Sequence, residues 1–169
     1  LPPENNANFT FVLTALERCD YAQFILPNGV LTTSQADEAA IRKNLLEANL
    51  IEAVVALPDN MFVSTSIPTC VLIFNKMKTT ARVSMIDLSE KAETEIREQR
   101  GQFGVQKARV YKKKFNVLPK DTADFVKEII KEQQDIKNIS KSVTIEEIRN
   151  QEYNLSPARY IKHASSKVQ

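Results

Sequence analysis

The sequence predicts an α/β fold, a mixed parallel and antiparallel sheet followed by C-terminal helices, and three observations lead there. Short apolar runs at Tyr21–Leu26, Ala53–Leu57 and Cys70–Phe74 are bounded by Pro, Asp and Asn, the pattern of buried strands. Between the first two runs lies a stretch with helical spacing, so strand, turn, helix and strand form a βαβ unit with parallel strands. Between the second and third there is only a polar loop, Pro58 to Thr69, short enough for the third strand to return antiparallel.

Taken in order, Phe9, Val12, Leu13 and Leu16 mark one face of a helix over Asn8 to Leu16, with Asn5 to Asn8 as cap candidates. Tyr21–Leu26 ends at the turn Pro27-Asn28-Gly29, where Gly29 is free to take positive φ. Ser34, with Asp37 three residues later, is the expected cap of a helix whose stripe is Ala40, Ile41, Leu45, Ala48 and Leu50. Val83–Leu88 reads as a fourth strand. Residues 90–120 are polar, basic from Arg97 to Lys114, and carry Gly101 and Gly104, so a loop or linker is expected there. Helices are expected at 121–138, from a cap at Asp121, and at 145–151, from the Thr144-x-x-Glu147 pattern. The chain divides on this reading into a sheet part at 1–89, the linker at 90–120 and a helical segment at 121–169.

Composition bounds the chemistry. The 169 residues are 43% hydrophobic, enough for one packed core, and a net charge of +2 leaves any electrostatic role to local clusters. Cys19 and Cys70 stand far apart and His163 is the single histidine, so neither a zinc site nor a disulfide framework is expected, and a cytoplasmic setting is favoured. No apolar run approaches the roughly 18 residues that cross a bilayer, so no membrane partner is expected.

Two candidate sites remain. Phe62 is a lone ring in the polar loop beside Asp59, Asn60, Ser64 and Thr65. It is open to two roles: a plug folding back on the sheet, or a platform on which a nucleic-acid base stacks, an interaction worth roughly 1–3 kcal/mol. In the basic segment, Arg109, Lys112, Lys113 and Lys114 are candidates for DNA phosphate contacts, against the alternative of a solvated loop. Three glycines and one histidine assemble neither a nucleophile triad nor a phosphate-cradling loop, which also disfavours other nucleotide-binding α/β domains.

The strings Leu1-Pro-Pro-Glu-Asn-Asn-Ala-Asn-Phe9, Leu26-Pro-Asn-Gly-Val-Leu31, Ile41-Arg-Lys, Ile51-Glu-Ala-Val-Val-Ala-Leu-Pro58, Phe62 with Thr65-Ser-Ile-Pro-Thr69, and Tyr153-Asn-Leu-Ser-Pro-Ala-Arg-Tyr160 occur in this order. Together they resemble the modification subunit of type I restriction-modification systems. The resemblance implies an adenine-specific DNA methyltransferase that uses S-adenosylmethionine, with a Rossmann-like sheet of which this chain is a part. Tyr21–Leu26 would be that sheet's fifth strand, Ala53–Leu57 its sixth, at the edge, and Cys70–Phe74 a reversed seventh inserted between them. Phe62 falls where related amino methyltransferases carry the ring that stacks on the flipped adenine.

Pro2-Pro3 does not match the catalytic Asn-Pro-Pro-Phe/Tyr motif of amino methyltransferases, since residue 1 is Leu and residue 4 is Glu. That motif and the glycine-containing cofactor loop are expected upstream of residue 1. The chain is therefore expected to be a C-terminal fragment, inactive alone, with no catalytic residue of its own and no S-adenosylmethionine bound. The implied partners are DNA, a specificity subunit and a restriction subunit. An unpaired Tyr21–Leu26 edge would favour self-association, or cover from the first helix or the tail. The competing reading is a non-catalytic interaction module that binds a partner subunit through its C-terminal helices.

Overall fold

The computed structural model describes residues 7–63, 65–100 and 110–165. Helix α1 (Asn8–Leu16) leads to strand β1 (Tyr21–Pro27), a 3-10 turn (Asn28–Leu31), helix α2 (Ala36–Glu47), and strands β2 (Ile51–Ala56), β3 (Thr69–Asn75) and β4 (Arg82–Asp87). Strands β5 (Glu93–Arg100) and β6 (Val110–Val117), helix α3 (Thr122–Glu132), strand β7 (Ser140–Thr144) and helices α4 (Ile145–Arg149) and α5 (Pro157–Ser165) follow.

The main sheet has the order β1-β3-β2-β4-β7. β3 runs antiparallel to both neighbours, with Tyr21 opposite Asn75 and Pro27 opposite Thr69 on one side and Val54 opposite Leu72 on the other. β2 and β4 are parallel, and β7 returns antiparallel to β4. The insertion of β3 between the two strands of the βαβ unit agrees with the expectation. The edge position expected for β2 does not hold, because β4 and β7 extend the sheet beyond it.

Alternation along the strands sends successive side chains to opposite faces, and both faces are covered, which is why β2, β3 and β4 read as continuous apolar runs. Cys70, Leu72 and Phe74 face a core shared with Phe9 and Val12 of α1, Leu45 and Leu46 of α2, Ile148 of α4 and Tyr160 of α5. Ala53, Val55, Ile73 and Ile86 face the opposite core, closed by Ile129 of α3 with Phe125 and Val126 beside it.

The sheet's β1 side is open. Asn28 N–H donates to Pro68 O at 3.1 Å and Lys76 N–H to Asp20 O at 2.8 Å, one at each end of the β1–β3 pairing. Even-numbered residues of β1 therefore bond to β3, and the backbone groups of Tyr21, Gln23 and Ile25 point away from it. Among the described residues no strand pairs with them, and α1 packs on a face of the sheet rather than along this edge. The side chains of Tyr21 and Ile25 are 49% and 58% exposed.

Several local expectations are corrected. The 3-10 turn keeps Gly29 out of the left-handed region, and a Cβ there would meet nothing within 4 Å. α1 is capped by Ala7 without a side-chain bond, Asn8 is already the first residue of the helix, and Asn5 and Asn6 lie outside the described residues. α2 starts at Ala36, one residue too late for Ser34, so Gln35 takes the cap and its Oε1 accepts from Glu38 N–H at 3.0 Å. Asp121 caps α3 by position, with no side-chain bond.

Residues 121–169 are not only helical, because β7 lies within them and joins the main sheet. Its sequence Ser-Lys-Ser-Val-Thr has one apolar residue, and the buried serines are satisfied by polar neighbours. Ser140 Oγ donates to Gln134 O at 2.7 Å, and Ser142 Oγ accepts from Arg82 Nε at 2.9 Å. In place of a linker at 90–120 stands the antiparallel β5–β6 hairpin, Glu93 opposite Val117 through Arg100 opposite Val110. Its strands are exposed along much of their length and carry no alternating apolar pattern, so backbone pairing is what defines it.

The Thr144 capping box is present as expected. Thr144 N–H donates to Glu147 Oε2 at 2.7 Å, and Glu147 N–H donates to Thr144 Oγ1 at 3.1 Å. The box starts the helix that seats Ile148 in the core. Thr144→Ala is expected to lower stability by about 1 kcal/mol, read as a shift in the urea midpoint at unchanged slope. Farther along, Arg149 holds Glu47 through two bonds of 2.7 and 2.8 Å, and the Tyr153 hydroxyl donates to the same carboxylate at 2.7 Å. These donors pull the Glu47 carboxyl down to about 2.

Candidate functional site

β1, β2 and β4 end on one side of the sheet, and ligands of open α/β sheets bind outside such carboxyl ends. The loop after β2 forms this rim. Leu57 N–H donates to Thr69 O at 2.9 Å, prolonging the β2–β3 pairing by one step, and Leu57 and Pro58 are buried. The chain then turns at Asp59 and Asn60, where Asn60 adopts φ of 50°, a left-handed conformation that asparagine tolerates better than most residues. Met61 packs against the α3-side core, Phe62 is half-buried, and Val63 is 59% exposed. Past residue 64, Ile67 N–H donates to Thr65 Oγ1 at 3.0 Å, and the chain enters β3 at Thr69.

The hairpin lies along this loop. Asn116 N–H donates to Asn60 O at 3.0 Å, and its Nδ2 donates to Asp59 O at 3.0 Å and to Asp59 Oδ1 at 2.9 Å. Three residues earlier on β6, Lys113 Nζ donates to Val63 O at 3.1 Å. That ammonium stands 5.4 Å from the centroid of the buried Phe115 ring, with the Arg97 guanidinium 5.6 Å from the same ring. Arg97 is paired with Glu95 at 2.8 Å and holds that carboxyl below its usual range.

The structure thus brings the loop that carries Phe62 against the basic segment, Lys113 reaching Val63 across 50 residues of sequence. Lys113 spends its ammonium on the loop. Lys112 and Lys114, on the opposite face of β6, are exposed. Arg109 lies outside the described residues. Asp59, Asn60 and Asn116 were not singled out as site residues in the sequence. Asp59 and Asn60 announced a turn, but nothing local to Asn116 announced a partner so far upstream.

Two more polar atoms stand at the rim: Asn28 Oδ1, beyond β1, and Thr69 Oγ1, at the start of β3, are buried and have no hydrogen-bond partner among the described residues. Elsewhere the described residues offer little chemistry. They hold no group of three His, Cys, Asp or Glu side chains placed for a metal. Burial pushes the Cys70 thiol up to about 12, which keeps it protonated and unreactive. No helix among them is long and apolar enough to cross a membrane.

The family described as N-6 DNA Methylase matches residues 1–168. The chain is 31% identical over 173 residues to the type I restriction enzyme HindI methylase subunit of Haemophilus influenzae, a match covering 95% of this chain and 35% of the relative. It is 33% identical over 161 residues to the MjaVIII methylase subunit of Methanocaldococcus jannaschii, covering 95% of this chain and 26% of that protein. Among solved structures, the methyltransferase subunit of a type I restriction-modification system from Streptococcus thermophilus superposes with a TM-score of 0.77 at 32% identity, over 95% of this chain and 31% of that one. The chain therefore spans roughly a third, or less, of the length of these relatives.

Proposed function

The chain belongs to the N-6 DNA methylase family, and from that premise we propose that it forms the target-base side of a type I DNA adenine methyltransferase. In this reading S-adenosylmethionine supplies the methyl group, the exocyclic amine of an extruded adenine receives it, and Phe62 stacks on that adenine. The observation that carries the reading is the placement of Phe62. Its ring sits half-buried on the rim at the carboxyl end of β2, on a loop braced by a hairpin that exposes Lys112 and Lys114 on the face of β6 opposite Lys113.

A base leaving the duplex loses its stacking, and an aromatic platform offsets part of that cost. Lys112 and Lys114, with Arg109 from the adjoining stretch, supply the phosphate contacts, while Lys113 serves the loop. Of the three glycines only Gly29 lies among the described residues, and it follows β1 in a 3-10 turn rather than a glycine-rich loop. No step is therefore assigned to this chain toward the cofactor. The open side of β1 is where the sheet would continue into the rest of the methylase, and in isolation it is a template for self-association. A specificity subunit and a restriction subunit complete the proposed assembly.

The test is Phe62→Ala in a methylase of the relatives' full length that includes this sequence. With 2-aminopurine at the target position, the variant is expected to lose the fluorescence rise of base extrusion. Its capture of the extruded base should weaken roughly 10- to 100-fold, with methyl-donor affinity unchanged. Unaltered turnover and fluorescence would remove Phe62 from the site.

A further inference from the structure

We infer that Asn116 is a positioning residue for Phe62, fixing the shape of the base-facing loop from the hairpin. The inference rests on the reading of Phe62 as the stacking platform and extends it to a residue on a separate element. Phe62 lies between two pins, both on β6. Two residues before it, the Asn60 carbonyl accepts from Asn116 N–H, and the Asn116 side chain grips Asp59 at both its carbonyl and its carboxylate. One residue after it, the Val63 carbonyl accepts from Lys113.

The pins act where the backbone most needs them. Asn60 is held at φ of 50°, a region costly for a residue with a Cβ, and its own carbonyl is the one that Asn116 engages. β6 is a firm support because it is paired with β5 along its whole length and anchored by Phe115, which is 1% exposed. A ring held between two such points is presented to an incoming base with little freedom left to lose, and preorganisation of this kind improves capture without adding a contact. Asn116 does not reach the base in this account. It acts through the loop.

The test uses a methylase of the relatives' full length that includes this sequence, with Asn116→Leu, Asn116→Gln and Phe62→Ala compared side by side. Leucine removes both side-chain donors, whereas glutamine returns an amide on a longer arm. Asn116→Leu is expected to lower kcat and the 2-aminopurine fluorescence rise about tenfold, with KM for DNA within about twofold, and Asn116→Gln to recover part of both. A purely structural role would move neither the extrusion signal nor the split between kcat and KM.

If Phe62→Ala lowers both readouts while Asn116→Leu leaves them at wild-type level, the positioning role is overturned and the stacking reading stands. If Phe62→Ala is itself silent, the stacking reading falls and takes the positioning role with it. Should Asn116→Leu fail to fold, Asn116→Ser replaces it, since the backbone N–H to Asn60 and the β5 pairing survive, and the same outcomes decide.

Discussion

Replacing Arg42 by methionine is expected to destabilise the chain by about 3–5 kcal/mol, the cost typical of breaking a buried charge away from its partners. Arg42 is 5% exposed and lies on the inner side of α2. Its Nε donates to Tyr153 O at 2.9 Å, and its Nη1 donates to Val30 O at 3.2 Å and Thr33 O at 3.0 Å. One guanidinium thereby ties the turn after β1 to the loop that follows α4.

Burial alone pulls the Arg42 pKa down, and the charge of Glu38 works in the opposite direction. Methionine fills a similar volume but leaves three carbonyls without this donor and Glu38, 5% exposed, without its nearby cation. Arg42→Lys should recover only part of the loss, because one ammonium on a flexible stem cannot reproduce a planar fork reaching two loops. Urea unfolding of the 169-residue chain measures both variants. A loss below about 1 kcal/mol for methionine, the net worth of one ordinary hydrogen bond, would mean that water takes over from the guanidinium.

Phe74→Ala is the second large effect, expected to cost about 3–5 kcal/mol as a cavity left in the middle of the sheet. Phe74 is fully buried on β3, and its ring stands edge-on to Phe24, with centroids 5.9 Å apart and planes at 75°. Phe24 is only half-buried, so Phe24→Ala should cost less. The double variant should lose about 0.5–1.5 kcal/mol less than the sum of the two single losses, because each single variant already forfeits the contact between the rings. Coincident thermal and urea rankings of the three variants would check this, and additive losses would mean that the ring pair contributes nothing beyond burial.

What was legible in the sequence follows from where each element is buried. β2, β3 and β4 bury both faces, so Ala53–Leu57 and Cys70–Phe74 announced themselves as uninterrupted apolar runs. α2 announced itself through the spacing of Ile41 and Leu45, whereas its cap was misread by one residue, since several of Thr33, Ser34 and Gln35 can serve and only backbone geometry decides. β7 was hidden because its buried serines are matched to Gln134 and Arg82, a solution that hydrophobic pattern cannot register.

The hairpin was hidden for the opposite reason: it buries little beyond Phe115. The insertion of β3 between β1 and β2 came from resemblance to a family, since the residues alone allowed a return beside either strand. Phe62 stood out as a single ring among polar residues. Asn116 did not, because its significance depends on a partner 57 positions away.

The sheet's strand order also governs how the chain comes into being. Among the described residues β1 pairs with β3 alone, and β2 with β3 and β4 alone. Among the described strands, neither β1 nor β2 finds a partner before Thr69–Asn75 has left the ribosome, and until then their facing flanks stand bare on either side of a slot one strand wide. Nascent protein in this interval is the form most exposed to chaperones and to mispairing, and the arrival of β3 satisfies both flanks in one event.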